Sequence, residues 1–279
     1  MKHRALNGWP LFWLIVSPLS LAMLIATVRA SPADGPAVSS LIQLSVRCAV
    51  PLLYLAFAAS SVQVLWPGPF GLWLSRNRKY IGLAFAAAMA WQAYFILWLV
   101  FGYTDYYVND VYVLRDAIEG VAGYAFLAAM TVTSFMPVRR RMSPASWKWL
   151  HKIGIYYLWA YAFSVYWWEL FYYGSPEPID YAYYWAGLLA WGLRAAAWTK
   201  KRRRRGGASN PAGYAFVALG VVVAGSGGYW YPRAEELLYG HALTRMPELY
   251  LPYWPFEPWF AVLVFGLGAW LLAGRVARQ

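Results

Sequence analysis

Residues 139–173 read RRRMSPASWKWLHKIGIYYLWAYAFSVYWWELFYY, and this stretch decides the fold. Its three leading arginines cross lipid only at high cost and therefore mark a membrane surface. Ser143 then predicts an N-cap, and Pro144 fits the first helical position, where a missing N–H costs nothing. From Leu150 the chain is apolar and aromatic over a length that spans a bilayer core at about 1.5 Å per residue. His151 lies inside this predicted span, and an ionisable residue there is a functional-site hypothesis.

Composition places the chain among membrane proteins. Hydrophobic residues make up 61% of it and charged residues only 13%, whereas a soluble domain carries roughly 25% charged residues. The sequence contains no Walker motif, nucleophile elbow, HExxH or dinucleotide-binding glycine pattern, and no hydrophilic segment long enough for a soluble domain. Its single cysteine, Cys48, excludes an intrachain disulfide. Any chemistry must take place among the helices or be supplied by a partner protein.

The hydrophobic runs predict an all-α fold, a polytopic membrane helical bundle of about eight transmembrane helices. In chain order the predicted spans are 9–28, 41–66, 80–102, 117–136, the span that begins at Leu150, 179–198, 212–229 and 258–273. The segment PGPFGLWLSRNRK between the second and third spans is predicted as a turn. Two glycine-rich stretches, 220–228 and 266–268, are predicted to allow close helix packing.

The basic residues predict the orientation. Of the 24 lysines and arginines, 19 fall in the inner loops and helix ends, and five fall on the outer side: Arg29, Arg47, Arg115, Arg233 and Arg245. By the positive-inside rule both termini are cytoplasmic, in a bacterial-type inner membrane. The net charge of +12 does not indicate nucleic acid, because the run KKRRRR at 200–205 fits a topology and lipid-headgroup anchor.

Several motifs in order resemble a known family. They are RKYIGLAFAAAMAWQAY at 78–94, TSFMPVRRRMSPASWKWLHKIGIY at 133–156, and GLLAWGLR at 187–194. This pattern, over roughly residues 40–198, resembles the ferric reductase-like transmembrane domain family, most closely the haem-binding membrane subunit of the bacterial methionine sulfoxide reductase system (the MsrQ/YedZ family). It predicts a transmembrane core at 1–200, a basic cytoplasmic linker at 201–211, and a two-helix extension at 212–279 with an aromatic outer loop.

The resemblance implies a bundle that holds b-type haem between the third and fifth spans and passes electrons from quinol or flavin across the membrane. Two imidazoles hold such an iron from facing helices. The family's third-span histidine position is Gln92 here, and the position 13 residues after His151 is Ser164. We therefore expect the outer-leaflet haem site to be lost. For His151 two readings remain open: an interfacial hydrogen bond, or the axial ligand of one haem b near the cytoplasmic face.

A second candidate constellation lies below the predicted outer surface. Arg47 falls about two helical turns inside the second span, and a buried guanidinium normally needs a carboxylate partner. Glu119 and Glu169 are predicted at comparable depth. This polar clamp has a structural reading, an ion pair that locks helices, and a functional one, a proton or quinol site.

These observations predict two functions. The first is a non-redox membrane subunit that holds or anchors a partner protein in the membrane or on the outer face, with no cofactor. The second is an electron-transfer subunit with one haem or a flavin near His151. The outer side carries many tyrosines and tryptophans, among them Tyr184, Tyr229 and Tyr231. An interfacial aromatic belt explains most of this set, with a quinone or partner platform as the alternative.

Overall fold

The computed structural model describes residues 6–31, 33–173, 175–242 and 257–274, and these residues form helices without any strand. The long helices are α1 (Trp9–Arg29), α2 (Gly35–Leu65), α3 (Pro69–Gly102), α5 (Leu114–Val132), α7 (Pro144–Phe171), α8 (Pro178–Arg203), α9 (Ala212–Gly225), α10 (Gly227–Ala242) and α11 (Glu257–Ala273). Short pieces are α4 (Thr104–Tyr106), a π-helical segment (Tyr107–Val111) and α6 (Met136–Arg139).

The all-helical prediction is confirmed for these residues. Their apolar helices support a membrane protein, but they do not establish eight spans. Among the described residues, three helices are long and apolar enough to cross a bilayer: α1, α2 and α3. The bent pair of α9 and the first part of α10 would raise the number to four if it formed one span. The eight-span bundle stays a proposal. The outer loop predicted at about 230–257 is wrong in its first half, because residues 230–242 belong to helix α10. Residues 243–256 lie outside the described residues.

Two predicted boundaries are wrong. The segment predicted as a turn before the third span is mostly helical, because α3 begins at Pro69, directly after a short break that ends at Gly68. The predicted span 212–229 is not one straight helix: it breaks at Ser226, and the axes on either side differ by 81°. The Ser226 hydroxyl donates to the Val222 carbonyl at 2.7 Å. The same carbonyl accepts the Ser226 backbone N–H at 3.0 Å, so both donors of Ser226 bond to the last turn of α9.

The early start of α3 has a long-range cause. Asn77 on α3 is 2% exposed, and its Oδ1 accepts a hydrogen bond from the Gly8 backbone N–H at 2.9 Å. The Trp73 indole N–H donates to the Leu6 carbonyl at 2.7 Å. These bonds attach the first turns of α3 to the chain before α1, so tertiary contacts outweigh the Pro-Gly punctuation that predicted a turn.

The described chain divides into two compact units, and helices α2 and α7 contribute residues to both. The first unit comprises residues 1–59 and 68–159. Its core includes a cluster of fully buried side chains from α1, α2 and α3: Met23, Val38, Leu41, Phe95 and Leu99. Phe57 on α2 stacks on Trp159 on α7, with ring centroids 5.3 Å apart and planes within 10°.

The second unit, residues 60–67 and 160–279, is built on a close crossing of α9 and α11. A Cβ atom added at Gly268 would lie 2.6 Å from the Val217 backbone nitrogen and 2.7 Å from the Gly213 carbonyl oxygen. One added at Gly220 would lie 2.7 Å from the Phe265 nitrogen. Only glycine permits this approach of two backbones, so the predicted role of the glycine-rich stretches is confirmed at Gly220 and Gly268.

Aromatic rings also pack together in the second unit. Phe163 stacks on Tyr184 at 5.0 Å, and Trp167 meets Tyr231 edge to face at 4.7 Å. Tyr184 is fully buried and Tyr231 is 2% exposed. The assignment of these two tyrosines to an interfacial belt is therefore wrong: they are core residues. Tyr229, at 84% exposed, keeps the exposure that such a belt requires.

Candidate functional site

The candidate site is built around the first two turns of α7. The helix begins at Pro144, and the Ser143 hydroxyl accepts a hydrogen bond from the Ser146 backbone N–H at 3.0 Å. The predicted N-cap and first helical residue are thus confirmed. Two turns later His151 lies half-buried, next to the end of α5.

His151 makes a specific polar contact. Its Nε2 atom lies 3.0 Å from the Thr133 Oγ1 atom, and Thr133 is 7% exposed at the end of α5. The Thr133 hydroxyl also lies 2.6 Å from the Ala129 carbonyl oxygen. A carbonyl only accepts and a hydroxyl has one proton, so the hydroxyl donates to Ala129. This network assigns the proton of the other bond to His151 Nε2, which donates to Thr133.

Aromatic and cationic side chains complete this cluster. The Trp147 ring packs on the His151 ring, with centroids 4.3 Å apart, and its indole N–H donates to the Thr133 carbonyl at 3.1 Å. The Arg139 guanidinium lies 4.4 Å from the centroid of the Trp147 ring, in cation–π geometry. We call these four residues, Arg139, Thr133, Trp147 and His151, the imidazole cluster.

This arrangement does not fit a haem held at Nε2. An axial imidazole offers iron a nitrogen lone pair, whereas Nε2 of His151 carries the proton it donates to Thr133. Iron coordination there would require the loss of that hydrogen bond. The imidazole is held by this hydrogen bond and by the tilted contact with the Trp147 ring.

The other two expected ligand positions are also engaged within the protein. The Tyr124 hydroxyl on α5 donates to the Gln92 Oε1 atom on α3 at 2.9 Å. Ser164, 2% exposed, donates to the Tyr161 carbonyl of its own helix at 2.8 Å. An amide and a hydroxyl are poor iron ligands compared with imidazole, and here both serve local structure.

The three residues of the predicted clamp have different environments. Glu119 on α5 is 6% exposed, and its Oε1 atom has no hydrogen-bond partner among the described residues. The Tyr157 hydroxyl donates to the Glu119 backbone carbonyl, at 3.0 Å. Arg47 and Glu169 are each half-buried on α2 and α7. An ion pair of Arg47 with Glu119 or Glu169 stays a prediction.

Sequence reasoning did not identify Thr133 and Tyr124 as partners of the candidate ligands. Thr133 stands at the start of the motif that contains His151, but 18 residues separate the two, so no helical spacing connects them. Tyr124 lies 32 residues from Gln92. Only the packing of α5 beside α3 and α7 brings these pairs together.

Comparisons of the chain with protein-family models, with curated proteins and with solved structures give no match. The resemblance to the ferric reductase-like family therefore stays a hypothesis that rests on the three motifs.

Proposed function

We propose that this chain is an integral membrane subunit on a ferric reductase-like scaffold that has lost its outer-leaflet haem site, and that it holds or anchors a partner protein. The apolar helices α1, α2 and α3 support the membrane location. The sequence lacks the Walker, nucleophile-elbow, HExxH and dinucleotide-binding patterns, which is consistent with a role that depends on a partner.

One observation carries the proposal: Gln92, at the third-helix ligand position, accepts a hydrogen bond from Tyr124 at 2.9 Å. This bond joins α3 to α5 where the family pattern has a haem ligand. A half-buried amide with a hydrogen-bond partner contributes to helix registration, and the position therefore has a structural use without any cofactor.

The alternative function is a transmembrane electron-transfer subunit with one haem b, or a flavin, near the cytoplasmic face. Arg139 favours it, because a guanidinium close to His151 would suit a haem propionate. The Nε2 hydrogen bond to Thr133 weighs against it. The haem content of the purified protein distinguishes the two proposed functions.

Photo-crosslinking in native membranes tests the partner. A photoreactive amino acid replaces Tyr229, which is 84% exposed and predicted on the outer side, or Trp149, which is 59% exposed and predicted on the inner side. We expect one discrete protein adduct at Tyr229 and none at Trp149. Failure to form a protein adduct at Tyr229 would contradict an outer-face partner.

The proposed location is a bacterial-type inner membrane with both termini in the cytoplasm, based on the distribution of lysine and arginine. A reporter that is active only in the periplasm, fused after Gln279, should stay inactive. An active reporter at this position would overturn the orientation.

A further inference from the structure

Helices α8, α9 and α11 of the second unit line an open cleft of about 600 Å³. Its wall is apolar over most of its length, formed chiefly by Ala196, Val217, Phe265 and Leu272. The residues of α8 that line the apolar part of the cleft, Gly192 and Ala196, are small. The cleft extends along α8 from Gly192 to the C-terminal end of the helix, where the lining residues are polar. Eight residues separate Gly192 from Lys200, which corresponds to about 12 Å of apolar length.

The other end of the cleft is cationic. Lys200, Arg203 and Arg204 line it, and no residue that lines the cleft is acidic. The Lys200 ammonium donates one hydrogen bond to the Leu65 carbonyl at 3.0 Å, which leaves two of its three N–H groups for another acceptor. Arg203 and Arg204 are exposed, and their guanidinium groups have no hydrogen-bond or ion-pair partner within the part of the chain that the structure describes.

The walls of the cleft are fixed by hydrogen bonds, so the cleft is preformed. The buried Thr199 hydroxyl donates to the Ala269 carbonyl at 3.1 Å and joins α8 to α11. Arg202 Nε donates to the Gly274 carbonyl at 3.0 Å. The Asn210 backbone N–H donates to the Leu271 carbonyl at 3.1 Å and attaches the linker to α11. A preformed site binds without the cost of ordering its own walls.

We propose that this cleft binds one anionic phospholipid, with its phosphate at Lys200, Arg203 and Arg204 and an acyl chain along the apolar wall. The combination of three cations with a long apolar wall distinguishes a lipid from a soluble phosphate, which would leave the apolar wall without a partner. Basic clefts between membrane helices on the cytoplasmic side suit anionic headgroups. The exposed ring of Tyr214 at the cleft suits the headgroup level. This inference goes beyond the proposed function and needs only its membrane location.

Native mass spectrometry of the full chain in detergent tests the headgroup. Dioleoyl phosphatidylglycerol and dioleoyl phosphatidylcholine are titrated separately, because they share acyl chains and differ in net charge. We expect one phosphatidylglycerol per chain and much weaker binding of phosphatidylcholine. The double variant Arg203→Gln, Arg204→Gln should weaken phosphatidylglycerol binding about thirtyfold, the scale for two basic side chains at an anionic surface. Equal binding of both lipids to the unmodified chain would overturn the proposal.

The matched charge control is Arg140→Gln, Arg141→Gln, which removes the same charge from two exposed arginines of the first unit. It should leave phosphatidylglycerol binding unchanged. An equal loss in both double variants would show a general surface charge effect and overturn the site. Glycerol 3-phosphate at the same concentration should not displace the lipid; displacement would indicate a simple anion site and also overturn it.

A second pair of variants tests the apolar wall without any change of charge. Ala196→Trp fills the cleft and should abolish lipid binding, whereas Ala215→Trp, at an exposed α9 position outside the cleft, should retain it. If the Arg203→Gln, Arg204→Gln variant does not elute from size-exclusion chromatography as a folded protein, this pair of tryptophan variants tests the lipid site instead. Lipid binding that survives Ala196→Trp would contradict the proposal.

Discussion

The two halves of helix α7 use their side chains in different ways. Its first half, in the first unit, places His151 against Thr133 through a hydrogen bond. Its second half, in the second unit, places Phe163 and Trp167 in a buried set of aromatic rings. The contact of the first half depends on the pairing of a hydrogen-bond donor with an acceptor, and the packing of the second half depends on side-chain volume and shape. A polar residue at a candidate ligand position therefore has a local structural use, while the second half contributes buried aromatic packing.

The largest expected effect is at the aromatic half. Trp167 is 1% exposed, and Trp167→Ala removes a large ring from a packed core, which we expect to lower the free energy of unfolding by about 3–5 kcal/mol. Thermal or denaturant unfolding in detergent measures it. Trp149→Ala, on the same helix at a residue that is 59% exposed, is the matched control and should change little. Similar losses in the two variants would contradict the assignment of Trp167 to the core.

Glycine substitutions test the close backbone approach in the second unit. Gly268→Ala would place a Cβ atom 2.6 Å from the Val217 nitrogen, so the helices must separate, and we expect a loss of about 1–3 kcal/mol. Gly266→Ala is the control, because its Cβ would meet only the Trp191 side chain at 3.8 Å. The same unfolding measurement distinguishes them, and an unperturbed Gly268→Ala protein would refute the close crossing.

Removal of the Thr133 hydroxyl tests the imidazole cluster. Thr133→Val leaves the His151 Nε2–H without its acceptor, which we expect to cost about 1 kcal/mol, the lower part of the usual range because His151 is half-buried. Thr131→Val on the same helix should have a smaller effect. In a double-mutant cycle with His151→Phe, Thr133→Val should add little further loss. Independent, additive losses would show that the two side chains do not interact.

The smallest expected effect is at Gln92. Tyr124→Phe removes the hydrogen bond to Gln92 Oε1, and we expect a loss of about 0.6 kcal/mol, the average for a hydrogen bond between membrane helices. Tyr94→Phe, at a residue that is 52% exposed, is the control. A loss above 2 kcal/mol at Tyr124 would show that the α3–α5 contact carries more of the fold than this single bond explains.

The sequence predicted local features well and long-range ones poorly. Ser143 and Pro144 set the start of α7 through chemistry that operates within one turn. The start of α3 was missed because it depends on Asn77 meeting Gly8, 69 residues away. The break at Ser226 was missed because apolar and glycine residues continue across it. Hydropathy identifies apolar segments but does not specify the direction of a helix axis.

The same limit applies to the candidate site. His151 and Gln92 stand out from the sequence, since a polar residue in an apolar run is conspicuous. Their partners Thr133 and Tyr124 do not, because threonine and tyrosine are ordinary in such helices. The hydrogen bonds of Thr133 determine which ring nitrogen of His151 carries the proton, and a protonated Nε2 is not available to iron.

The reduced-minus-oxidised absorption spectrum of the purified, full-length protein tests the central claim most directly. We expect that the unmodified chain shows no haem band, and that His151→Ala and Thr133→Val leave the spectrum unchanged. A band that corresponds to one haem per chain and disappears in His151→Ala would establish the electron-transfer alternative. Two haems per chain would contradict the loss of the outer site as well.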